Sequence, residues 1–125
     1  MALEPGLSAS VELDVGVADT AVAFGSGDVP ALGTPRVVAL CEQATVAALR
    51  GCLDEGFTSV GRRVQLDHLS PTAVGHAVTA LATLEKVEGP RLTFAVSVRD
   101  DRSLVAAGKV TRVVVDRERF IDKIG

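Results

Sequence analysis

Glu42 stands in the run Val37-Val38-Ala39-Leu40-Cys41-Glu42-Gln43-Ala44, which is apolar apart from Glu42 and Gln43. On a helix the adjacent Glu42 and Gln43 project about 100° apart, so they cannot share one solvent face, and one of them is expected to point inward. A carboxylate drawn out of water there becomes a candidate base, or else it is held by a hydrogen-bond partner. The plainer alternative has Glu42 emerging at the helix edge, solvated or paired with Arg36 or Arg50. His68 ends the alternating series Val64, Leu66, His68, whose other face is Arg63, Gln65, Asp67. It is therefore expected to point where Val64 and Leu66 point, toward the interior, either as a satisfied core histidine or as a proton carrier facing the carboxylate. His76, beside Gly75, reads as a turn or strand-edge residue. Thr34 precedes Pro35, the pattern of a hydroxyl N-cap followed by proline at the first helical position. A helix start also presents free N–H groups and partial positive charge, which suit a carbonyl or a developing oxyanion. Thr34 and Glu42 lie eight residues apart, about 12 Å along a continuous helix, so they cannot bond each other if the helix begins at Thr34.

The elements that must position these groups follow from periodicity. Val11 to Val15 alternates and reads as a strand; Ala21 to Phe24 reads as a second, shorter strand; Gly25 to Gly33 is a loop rich in turn formers. The run without breakers from Arg36 to Glu55 predicts one central helix over about 34–55, stopped by Gly56. A third strand opens at Gly61 and carries His68, and Gly75 to Glu88 reads as a long strand. After the Gly89-Pro90 turn, Leu92, Phe94, Val96 and Val98 give the cleanest alternation in the chain. Asp100 to Arg102 is a turn, Leu104 to Val115 a last strand, and Asp116 to Ile124 a short helix. The order is an α+β pattern with an antiparallel sheet. A helix apolar nearly all round must be enclosed, and a single sheet curled around one long buried central helix, the hot-dog fold, encloses it within one domain spanning 1–125.

Composition removes several alternatives. Thirteen basic against sixteen acidic residues give a net charge of -3, without the positive field that a nucleic-acid partner needs. Four phenylalanines with no Trp or Tyr cannot build base-stacking platforms. No apolar run reaches the roughly 20 residues of a membrane span, and the start of the chain does not resemble a signal peptide, so a cytoplasmic protein is expected. Cys41 and Cys52, eleven residues apart on what reads as one helix, would sit roughly 16 Å apart, too far for a disulfide, and no metal spacing accompanies them. No metal or cofactor is implied. A chain this short has little room for a deep private pocket, so a pocket shared between subunits is expected.

With Thr34 before the helix, Glu42 eight residues on and His68 a further twenty-six on, the chain resembles the hot-dog-fold thioesterases, most closely the fluoroacetyl-CoA thioesterase type. The likeness runs over about residues 5–120, in the contexts Gly33-Thr34-Pro35, Leu40-Cys41-Glu42-Gln43-Ala44 and Leu66-Asp67-His68-Leu69-Ser70-Pro71-Thr72. The resemblance implies an acyl-CoA thioesterase acting on a small or medium acyl group. In it Glu42 and His68 serve as base and acid, Thr34 positions Glu42, water or substrate, and the Gly61 N–H is offered to the substrate carbonyl. It also implies at least a homodimer with active sites between protomers. Members selecting fluoroacetyl groups carry aromatics in the loop before the helix, and Gly25 to Gly33 has none. The competing reading is a non-catalytic hot-dog module that binds acyl-CoA or serves as an assembly domain; a hydratase of the same fold ranks below both.

Overall fold

The computed structural model describes residues 3–125. In chain order the elements are β1 (Ser8–Asp14), a 3₁₀ turn (Val17–Asp19), α1 (Ala21–Phe24), α2 (Thr34–Leu49), β2 (Phe57–His68), β3 (Ala77–Glu88), β4 (Arg91–Arg99), β5 (Leu104–Asp116) and α3 (Arg117–Ile124). The five strands form one antiparallel sheet in the order β1-β3-β4-β5-β2. Consecutive hairpins link β3, β4 and β5, while β1 and β2, the strands flanking α2 in sequence, sit at opposite edges. The sheet curls, and α2 lies in its hollow, against β1 and β3 above all.

The burial pattern follows from side-chain size and period. On α2, Val37, Leu40, Cys41, Ala44, Thr45, Ala48 and Leu49 are buried, at helical spacings of three and four. They meet Val78, Ala80, Ala82 and Leu84 of β3, Leu92, Phe94, Val96 and Val98 of β4, and Val105, Ala106 and Val110 of β5. The alanines on both sides let the helix approach the sheet closely, and Phe94 fills the centre as the largest fully buried side chain. The opposite face of α2 is open: Gln43 is exposed and Val46 is 45% exposed.

Four expectations are corrected. Ala21–Phe24 is a helical turn: the Thr20 hydroxyl accepts from Ala23 N–H, and Gly25 closes the turn at φ 70°. Four residues are too few for periodicity to separate strand from helix. The central helix ends at Leu49, because Gly51 takes the left-handed conformation at φ 76° and turns the chain out six residues before the expected end. Cys52 therefore lies beyond the helix that holds Cys41. Finally, β2 begins at Phe57, so Gly61 sits inside the strand at a β-bulge between Gly61 and Arg63.

Among the described residues no helix is long and apolar enough to cross a membrane. Among the same described residues, no group of three or more His, Cys, Asp or Glu is placed to hold a metal ion.

Candidate active site

The start of α2 is set by backbone crowding. Gly33 is the N-cap and its carbonyl accepts from Arg36 and Val37 N–H. A Cβ at Gly33 would stand 3.0–3.1 Å from the Ala21 backbone, so a capping Ser or Thr there would have to push α1 aside. Thr34 is consequently the first helical residue and not the cap, with Pro35 behind it. Its hydroxyl, relieved of capping, lies 2.8 Å from His68 Nδ1, joining positions 34 residues apart. His68 ends β2 on the inward face with Val64 and Leu66, as the alternation predicts. Its Nε2 is buried without a hydrogen-bond partner. One nitrogen is held and the other is left free, the condition of an imidazole oriented for proton transfer.

Glu42 lies two helical turns further along α2. Its side chain is 35% exposed, and Oε2 accepts from Arg112 Nη1 at 3.3 Å. Neither Arg36 nor Arg50 is its partner: Arg36 Nε instead donates to Asp19 Oδ1 at 2.9 Å, tying α2 to the 3₁₀ turn. Arg112 is 6% exposed and faces Gly61 across the β2–β5 ladder. Its Nε donates to Ser59 Oγ at 2.8 Å and its Nη2 to the Ser59 carbonyl at 3.1 Å. Burial pulls this guanidinium below its usual range, and the Glu42 carboxylate opposes that pull by charge and hydrogen bonding. Beside it, burial and then the Glu42 charge push the Cys41 thiol up to about 11, which leaves it a packed, unreactive sulfur.

Gly61 makes the room for this arrangement. A methyl group built there would overlap Glu42 Oε2, so the glycine lets the carboxylate lie directly over β2 at the bulge. The Gly61→Ala variant is expected to fold with little change in melting temperature while losing about 100-fold in activity, because an ångström of displacement at a reacting group costs that much. Steady-state kinetics beside a thermal melt check this. Replacing Arg112 by methionine acts on stability. It removes the guanidinium that donates to Glu42 and takes its donors from the Ser59 hydroxyl and carbonyl oxygens, so urea unfolding at fixed protein concentration should show a loss of about 1–3 kcal/mol.

Arg112 and Ser59 were not reached from the sequence. The available signal was a lone cation inside Val110-Thr111-Arg112-Val113-Val114-Val115, whose purpose shows only once β5 is paired with β2.

Within one chain the predicted residues form two groups. Thr34 and His68 meet at the start of α2; Glu42 and Gly61 meet about 12 Å further along the helix, where Arg112, not among the predicted residues, joins them. Each group opens on its own hollow. Glu42 lines a groove of about 660 Å³ between α2 and β1, with Val11, Ala39, Gln43 and Val46 among its walls. His68 lines a cleft of about 280 Å³ beside the loop that precedes α2.

The chain and its fold are matched in known proteins. The fluoroacetyl-CoA thioesterase of Streptantibioticus cattleyicolor is 35% identical over 91 residues, which span 73% of this chain and 66% of that protein. A solved structure of the fluoroacetyl-CoA thioesterase FlK superposes with a TM-score of 0.91 at 27% identity, over 99% of this chain and 96% of that one. A hot-dog-like protein from Thermanaerovibrio acidaminovorans does so with a TM-score of 0.89 at 30% identity, over 96% and 89%. The model of the fluoroacetyl-CoA-specific thioesterase family matches residues 15–118, and the chain belongs to that family.

Proposed function

We propose that this protein is a cytoplasmic acyl-CoA thioesterase, active as a homodimer, that hydrolyses a small or medium acyl thioester. The observation that carries the reading is the Thr34–His68 hydrogen bond, which holds one imidazole nitrogen while the other, Nε2, is buried without a partner beside the cleft that His68 lines. Glu42 activates the attacking water or attacks the thioester carbon itself. With the Thr34 hydroxyl donating to Nδ1, His68 Nε2 carries the proton offered to the departing thiolate. The Gly61 N–H and the Thr34 N–H, which the Gly33 carbonyl does not take up, are the donors for the oxyanion.

Glu42 stands about 12 Å along α2 from Thr34, which holds His68, too far along the helix for Glu42 and His68 of one chain to act on the same carbonyl. A second copy removes the difficulty. β2 is an edge strand whose outer side is unpaired, and two β2 strands pairing antiparallel about a two-fold axis place residues of constant number sum opposite each other. An axis passing near Val64 and Gln65 sets the Gly61 and Glu42 end of one protomer against the His68 end of the other. The open face of α2, with its exposed Val46, would be covered in the same assembly.

The test is release of free thiol from a panel of acyl-CoAs by the folded wild-type protein. Turnover of at least one member supports the reading, and saturable binding with no release from any of them replaces it with a binding module.

A further inference from the structure

The start of α2 has no side-chain cap. Gly33 offers none, and no acidic residue stands in the first turn. Arg36, in that same turn, places a cation where the helix dipole favours a negative charge. The hold comes from outside the helix, from Asp19 at the end of the 3₁₀ turn. Its backbone carbonyl accepts from Gly33 N–H at 2.9 Å, and its Oδ1 accepts from Arg36 Nε at 2.9 Å. Its Oδ2 accepts from Gly16 N–H at 2.8 Å and so closes the turn that carries it. Gly33 and Arg36 flank Thr34 and Pro35, so one residue grips the chain on both sides of the hydroxyl that lies 2.8 Å from His68 Nδ1. The Arg36 and Asp19 side chains are only 19% and 17% exposed, so solvent screens this ion pair less than it does a pair on the open surface.

We infer that Asp19 is a positioning residue for the reaction: through Gly33 and Arg36 it fixes the start of α2, and with it the Thr34 hydroxyl, against His68. The inference rests on the thioesterase reading, in which that hydrogen bond orients the imidazole that carries the proton. Asp19 and Arg36 line neither the Glu42 groove nor the His68 cleft, so they reach the chemistry only through the residues they hold. Removing the carboxylate releases Arg36 and opens the 3₁₀ turn, which lets the first turn of α2 shift while its buried face stays packed on the sheet. A shift of about an ångström is enough to lengthen a 2.8 Å hydrogen bond beyond use. Because the effect passes through the Thr34 hydroxyl, it should vanish when that hydroxyl is absent.

The experiment places Asp19→Ala and Arg36→Leu in the full wild-type chain and again in Thr34→Val, with a thermal melt to show that each protein is folded. Two readouts are taken: kcat and KM for thiol release from the acyl-CoA that the wild type turns over best, and the ring-nitrogen NMR signals of isotope-labelled histidine, of which the chain holds only two. Asp19→Ala is expected to lower kcat about five- to tenfold with KM changed less than about twofold, and Arg36→Leu, which keeps the Gly16 bond, to lower kcat about three- to fivefold. In the Thr34→Val background neither substitution should change kcat by more than about twofold, a non-additivity that a general loosening of the fold would not give. Both single variants should move the His68 signals toward those of Thr34→Val. Folded single variants with wild-type kcat, or equal fold losses in the two backgrounds, overturn the inference; if Asp19→Ala does not fold, Arg36→Leu decides it alone. A wild type that releases no thiol removes the thioesterase reading, whereas unmoved His68 signals in the folded variants remove the Asp19 clamp whatever the activity.

Discussion

The Glu42→Gln protein is expected to fold, dimerise and bind acyl-CoA, yet to hydrolyse it about 1,000-fold more slowly or worse. The amide preserves the volume of the side chain above Gly61 and can still accept a hydrogen bond from Arg112 Nη1, so the helix and bulge stay in place. It can neither take a proton from water nor form an acyl anhydride, so both forms of the chemistry are lost together. The stability change should be about 1 kcal/mol or less, because the carboxylate it replaces is about one-third exposed and its pairing with Arg112 is screened by solvent. The loss should appear in kcat with KM little changed, which separates a lost reacting group from a disturbed binding surface. A rate within tenfold of the wild type would remove Glu42 from the chemistry.

Truncating His68 to alanine should lower kcat about 100- to 1,000-fold, the range of a lost general acid. The hydroxyl of Thr34 discriminates this from mere packing. Thr34→Val keeps the shape but leaves His68 Nδ1 without its 2.8 Å partner, so the ring loses its orientation and activity falls about tenfold or more. Thr34→Ser keeps the hydroxyl and should retain most of the rate. Equal rates for the valine and serine variants would show that the hydrogen bond has no part in the reaction.

Much of this architecture is legible in the sequence where a single period runs long enough. The alternation of Leu92, Phe94, Val96 and Val98 maps onto four buried positions of β4, and Val64, Leu66 and His68 share the inward face of β2. Helical geometry alone also separates Glu42 from Gln43, and it is Glu42 that is half-buried while Gln43 is exposed, a choice set by the packing of α2. What escaped reading depended on contacts distant in sequence. Gly33 displaces Thr34 from the cap because α1 crowds it, and nothing within the Gly-Thr-Pro triplet reveals that neighbour. Arg112 reaches Glu42 because β5 pairs with β2 across Gly61, a register set by the whole sheet. The end of α2 was signalled by Gly51, but the apolar residues beyond it, Cys52 and Leu53, disguised the stop.

In the proposed dimer a thioester is cleaved between Glu42 of one chain and His68 of another. The most direct measurement mixes the Glu42→Gln and His68→Ala proteins, each inactive alone, through a denaturation and refolding cycle that exchanges subunits. Half of the dimers formed at random are mixed, and each mixed dimer holds one site with both groups intact, so thiol release should recover to about a quarter of the wild-type rate. A refolded mixture as inactive as its two parents would contradict the account.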